Sequence, residues 1–259
     1  MARRGPLANR LAIGCLAAVF AAPILPLIVQ AFADEWRAPA FIPQQFGLRG
    51  FRYAFADAGA FSALTNSLII ALAATLLALL FGWPAARVLG EGGGRHREAV
   101  FLLLALPLLV PPLATGTGLT EWFIRFQLID TRLGIVLAHL TVVLPYVVIV
   151  LIAAFTQRLT ELEEMARVLG WSPTRRLLAV TIPSIRPTLA TAALLGFLVS
   201  WAQYGTSLAV GGGLPTLPIV LLPFVGSDPE VAAALAVLFL APAVVSLAVA
   251  ARLSQRSGL

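Results

Sequence analysis

Six stretches of this chain, 11–33, 58–86, 99–120, 133–157, 187–227 and 231–251, contain no charged side chain. A helix needs about 20 consecutive apolar residues to cross a bilayer, and each of these runs is long enough. Lipid offers no partner to backbone N–H and C=O groups, so a run that enters it must satisfy them internally, which a helix does and a lone strand does not. The longest run, 187–227, has length for two crossings. "GGGLPTLP" at 211–218 interrupts it, however, and the remainder, "IVLLPFVGS", is too short to cross. The expected fold is an all-α membrane protein of six transmembrane helices, a single domain over 1–259. Composition agrees, with 59% hydrophobic and 12% charged residues. A water-soluble chain of this length exposes far more polar surface.

An even number of crossings puts both termini on one side, and arginine chooses which. With the N-terminus inside, thirteen arginines fall on inner segments; only Arg37, Arg49, Arg52, Arg125 and Arg132 fall on outer ones. That bias follows the positive-inside rule and makes both termini cytoplasmic. The net charge of +6 then reflects topology and contact with anionic membrane lipids, not nucleic-acid binding. The start, "RRGPLANR" before an apolar run ending in "AFAD", imitates a cleavable signal peptide. The run exceeds the roughly 7–15 residues of a signal core and contains Pro23 and Pro26, so it is read as a retained first helix.

Several chemistries are excluded. All 18 basic residues are arginine, and a Walker-type phosphate loop needs lysine, so the chain has no such ATPase site. Gly92–Gly94 reads as a flexible inner turn, because no strand precedes it. Cys15 is the lone cysteine, which rules out an intrachain disulfide. No Asp, Glu, Lys or Arg lies inside a run, and His139 reads as a hydrogen-bonded structural residue. Neither paired aspartates nor a zinc-binding HExxH is present. No catalytic residue, metal site or cofactor is assigned to this chain. The outer segment 121–132, "EWFIRFQLIDTR", reads as amphipathic and interfacial.

One charged segment stands apart: "ELEEMARVLGWSPTRRLLAVTIPSIRP" at 161–187, between the fourth and fifth runs. Leu162, Met165, Ala166 and Leu169 repeat at helical spacing and form one apolar stripe, with Glu161, Glu163, Glu164 and Arg167 elsewhere around the helix. Gly170 falls where a helix takes a left-handed stop. Ser172 and Pro173 restart a helix as cap and first position. Pro183 and Pro187 are expected to end that second helix before the fifth span. Two short helices meeting at a glycine elbow would project from the inner mouth toward a soluble partner. Three acids beside an anionic leaflet argue against a loop lying on headgroups.

The segment resembles the cytoplasmic "EAA" loop found in permease subunits of binding-protein-dependent ABC importers. That pattern is E-A-A, three residues, G, nine residues, I-x-L-P. Glu164, Met165 and Ala166 stand at its first positions, Gly170 at the glycine, and Val180, Ile182 and Pro183 at the last three fixed ones. Met165 for alanine and two aliphatic exchanges are the departures. The stretch 64–89, "LTNSLIIALAATLLALLFGWPAARVL", is also similar to the second span of that family. The resemblance implies a type I ABC importer permease fold in a bacterial inner membrane, with 157–187 as the coupling loop. It implies a cytoplasmic ABC ATPase dimer that binds ATP, a second permease subunit (a like copy or a sister chain), and an extracytoplasmic solute-binding protein. On that footing Glu164, Met165, Ala166, Gly170, Val180, Ile182 and Pro183 couple to the ATPase, and Arg175 and Arg176 are candidate contacts to it.

For a translocation path, Ser200, Gln203, Tyr204 and Ser207 fall at helical spacing and are expected to form a polar stripe in the fifth span. Thr115, Thr117 and Thr120 are weaker candidates. The stretch 200–222 resembles the branch of the family that serves thiamine, polyamines and ferric iron, which makes a small solute of that kind the expected cargo. A stand-alone secondary carrier or channel is the alternative function, and a membrane-embedded enzyme ranks behind both.

Overall fold

A computed structural model describes residues 14–16, 18–19, 21–37, 39–92 and 95–256. Five residues of the first apolar run, 11–13, 17 and 20, lie outside the described residues. Backbone contacts divide the chain into two compact units, Met1–Phe61 with Val220–Ala241, and Ser62–Ile219 with Pro242–Leu259.

In the first unit, helix α1 (Ile24–Ala31) leads into β1 (Ala33–Glu35), which pairs antiparallel with β2 (Gln45–Phe46) ahead of α2 (Arg49–Ala56). Its polar centre is Arg49. The Arg49 backbone N–H donates to the Asp34 carboxylate at 2.7 Å, and its guanidinium grips both oxygens of Asp228 at 2.8 and 2.9 Å. The Asp228 carboxylate also accepts from the Val231 N–H at 3.2 Å, which caps the final helix (Pro229–Arg256). Hydrogen bonding from Arg49 holds the Asp228 carboxyl below its ordinary range and raises Arg49, against an opposing effect of burial.

The second unit holds α3 (Ala60–Glu91), α4 (Arg95–Leu109), α5 (Pro112–Arg125), α6 (Arg132–Ile152), α7 (Gln157–Val168), α8 (Pro173–Arg176), α9 (Ile182–Trp201) and α10 (Gly205–Val210). Helix α6 is its spine. Val143, Val147, Val148 and Leu151 are buried there with Ala78, Ala86 and Leu89 of α3 and with Ile185 and Ala192 of α9. Small side chains on the flanking helices let the backbones approach closely, as membrane bundles require.

Among the described residues, four helices are long and apolar enough to cross a membrane: Ala60–Glu91, Arg132–Ile152, Pro173–Trp201 and Pro229–Ala250. The third run is not one straight span. Its two helices are bent by 100° at the break before Pro112, and counted as one span they bring the total to five. Pro112 bars its predecessor from helical geometry, and Pro111 accordingly sits at φ −55°, ψ 137°. The amphipathic outer segment is also shorter than expected, since α5 carries helix through Arg125 before the chain turns at Gln127 and Asp130.

The fifth run needs two corrections. Pro183 and Pro187 do not stop a helix. Leu177–Thr181 forms a π-helical turn that joins α8 to α9, so the fifth span begins at Pro173. Pro183 follows in the first turn of α9, where a missing N–H costs little, and Pro187 is absorbed inside that helix. At the other end, α9 stops at Trp201 and α10 starts at Gly205. Ser200, Gln203, Tyr204 and Ser207 therefore do not share one continuous helix face.

Candidate functional site

The elbow is built as its local chemistry dictates. Beyond α7 and its capping Leu169, Gly170 takes φ +76°. The Gly170 N–H donates to the Arg167 carbonyl (3.0 Å) and the Trp171 N–H to that of Ala166 (3.1 Å). This bond pair is the left-handed helix stop, a geometry glycine adopts without a Cβ penalty. Ser172 then caps α8, its Oγ accepting from the Arg175 N–H at 3.3 Å, with Pro173 in the first position. The Arg175 guanidinium lies 4.2 Å from the Trp171 ring centroid, a cation–π contact that braces the restart.

Two adjacent faces of α7 have different fates. Met165, Val168 and Leu169 are 64%, 84% and 73% exposed, and Leu162 is partly so. With Glu161 and Glu164, Met165, Val168 and Leu169 line a shallow apolar groove. Leu159, Glu163 and Ala166 face inward and are buried. Of the residues matching the loop pattern, Glu164, Met165, Gly170 and Pro183 are exposed, Val180 and Ile182 half-buried, and Ala166 buried. Arg175 is exposed; Arg176 is half-buried, its Nε enclosed without a hydrogen-bond partner.

Glu163, which the sequence sets apart from the apolar stripe, is turned in and held at both oxygens. Arg87 from the end of α3 donates Nη1 to Oε1 at 3.4 Å and Nη2 to Oε2, and the Thr181 hydroxyl donates to Oε1. Arg87 also reaches Glu91 through Nε at 3.0 Å and lies 6.0 Å from the Phe155 ring centroid. Close approach completes the arrangement, since a Cβ on Gly90 would stand 2.7 Å from that of Phe155. Three segments remote in sequence thus meet at one carboxylate. Helical spacing carried the signal: counted from Leu159 rather than Leu162, positions 159, 163 and 166 define the inward face.

A second cluster is centred on His139 of α6. Its Nδ1 lies 2.8 Å from Ser200 Oγ and its Nε2 lies 2.8 Å from Ser207 Oγ. The Ser207 hydroxyl donates to the Gln203 carbonyl at 3.0 Å. Its one proton thus committed, Ser207 accepts from Nε2–H, and the Ser200 hydroxyl donates to Nδ1. Imidazole and serines close the gap between α9 and α10. Ser200, Gln203 and Ser207 are buried; Tyr204 is half-buried. Thr115, Thr117 and Thr120 donate to carbonyls of their own helical turns. Among the described residues no group of three or more His, Cys, Asp or Glu is placed to hold a metal ion.

Residues 78–258 match the family described as binding-protein-dependent transport system inner membrane component. The chain belongs to this family. The permease is 33% identical over 208 residues to the molybdenum transport system permease protein ModB of Mycobacterium tuberculosis, an alignment covering 74% of this chain and 79% of that one. It is 27% identical over 221 residues to the putative 2-aminoethylphosphonate transport system permease protein PhnV of Salmonella typhimurium, covering 82% of both. In three dimensions it is similar to a bacterial ABC transporter involved in the import of the acidic polysaccharide alginate. The TM-score is 0.75 at 17% identity, over 97% of this chain and 99% of that chain. The fold is thus that of ABC importer permeases, and the permease is a multi-pass protein of the inner membrane and a transport component.

Proposed function

We propose that this permease forms part of a solute pathway and is driven by a separate ABC ATPase that docks on the elbow at 157–187. The observation that carries this reading is the exposed apolar groove of α7, beside a glycine stop and rimmed by Glu161 and Glu164. An open face of this kind, on a helix whose neighbouring face is pinned by ion pairs, suits a protein partner better than water. Glu164, Met165 and Gly170 form the docking surface with Ala166 buried behind it, Val180, Ile182 and Pro183 carry it into the fifth span, and Arg175 and Arg176 stand at its edge. ATP belongs to the partner. Closure of the ATPase dimer would shift two packings of the helices, inward- and outward-facing, between a second permease subunit and an external binding protein.

Capture of the ATPase encoded with this chain tests the reading. Met165→Asp and Glu164→Arg each lower capture more than about tenfold if the groove is the docking site. Capture equal to wild type in both variants would overturn it. Solute transport by the purified chain without any ATPase would favour the stand-alone carrier instead.

For the cargo we propose a small solute, with oxyanions and phosphonates ahead of thiamine, polyamines and ferric iron. Support comes from the relatives named for molybdenum and 2-aminoethylphosphonate. The path is assigned to the break between α9 and α10, where Gln203 and Tyr204 lie between the His139-bound Ser200 and Ser207.

A further inference from the structure

The Arg87–Glu163–Thr181 knot has a distribution that simple stabilisation does not require. Arg87 lies at the end of a membrane span, Glu163 sits mid-way along the first elbow helix, and Thr181 is the last residue of the π-turn one helical turn into the fifth span. Beside the knot, on the adjacent face of the same helix, lies the open groove. A displacement of α7 therefore meets two membrane helices through one carboxylate. The π-turn is the irregular piece of backbone in this connection, and such turns recur where helices must yield at functional positions. Thr181 is 1% exposed and Glu163 8%, so neither takes part in binding at the surface.

We propose that Glu163 is a positioning residue that transmits motion of the docked elbow to α3 through Arg87 and to α9 through Thr181. Docking and transmission are thus carried by neighbouring faces of one helix. Met165, Val168 and Leu169 hold the motor, and Glu163 passes its stroke to the membrane. This inference rests on the docking reading above, and its test separates the two.

The test uses the full chain reconstituted with its ATPase and binding protein. Three quantities are measured: ATPase capture, ATP hydrolysed, and solute taken up. Glu163→Gln is isosteric but loses the charge that holds Arg87. It should keep capture within about twofold of wild type while uptake per ATP falls by about tenfold, the span of a typical coupling free energy. Thr181→Val removes only the hydroxyl contact and should lower uptake per ATP by about threefold with the same capture. The double variant should be worse than either single one, because Glu163→Gln still offers an oxygen to the Thr181 hydroxyl and the two changes cut different arms of the linkage. Normal uptake per ATP in either single variant overturns the proposal. Capture falling in step with uptake in Thr181→Val overturns it too. If Glu163→Gln does not fold, Thr181→Val alone decides. A wild-type chain that captures no ATPase would instead sink the docking reading.

Discussion

The knots around Glu163 and His139 solve the same geometric problem with opposite chemistry. Each ties two other residues to one side chain, Arg87 and Thr181 to Glu163, and Ser200 and Ser207 to His139. The first uses charge, with a bidentate arginine and a hydroxyl on one carboxylate, at the end of α3 where the arginine bias places the inner surface. The second uses a neutral imidazole between two serines, within a span. Deep in a bilayer an ion carries a large desolvation cost, whereas hydroxyl-to-imidazole bonds do not. The difference also tracks what lies nearby. The charged knot borders an open apolar groove, while the neutral one bridges a break between helices.

That contrast can be broken experimentally. His139→Ala takes a hydrogen-bond partner from each serine and leaves a cavity at the α9–α10 break, so the permease should lose about 3 kcal/mol of stability by thermal unfolding in detergent. ATPase capture by the folded fraction should be unchanged; a capture defect would show that the two knots are not independent. Gly170→Ala comes next. A Cβ at φ +76° is strained by about 1 kcal/mol even though nothing stands within 4 Å of it. Weakened capture with little change in the melting temperature is the expected pattern, and an unaltered capture curve would mean the elbow angle does not matter to docking. The smallest effect concerns the third knot, Arg49 with Asp228. A carboxyl held below its ordinary range contributes stability that is complete above about pH 4 and fades as pH falls through its lowered value. Wild type should therefore loosen around α2 on acidification, followed by hydrogen exchange, while Asp228→Asn is weaker throughout and flat with pH.

Much of the elbow was legible in the sequence because its signals are local. Gly170, Ser172 and Pro173 act within a few residues of where they stand, and all three take the places that helix-end chemistry assigns. The same locality misled at Pro183 and Pro187. Proline stops a helix by withholding one bond, and a π-turn upstream changes which bond is required. Ala166 was misassigned by phase, for it turns inward beside Glu163. Leu162, Met165 and Leu169 form a true apolar stripe, but it is the face left open, whereas Leu159 marks the face that packs. His139 was legible as hydrogen-bonded, yet its partners were not, since 61 and 68 residues separate it from the serines. The double proline at 111–112 was read as part of one span because hydropathy ignores backbone direction. The family resemblance was carried by spacing, which survives exchanges such as Met165 for alanine.

The sharp bend between α4 and α5 bears on how the chain is made. Its arms have 15 and 14 residues, about 22 Å each at helical rise, short of the roughly 30 Å of hydrocarbon. Neither arm is a self-sufficient guest of the bilayer. What shelters the second arm is synthesised later: Phe123 of α5 is buried with Ala138 of α6 and Val210 of α10, and Thr120 reaches the Ala209 carbonyl. This hairpin must wait for its walls, and nascent chains cut short before residue 210 would leave it homeless at the translocon.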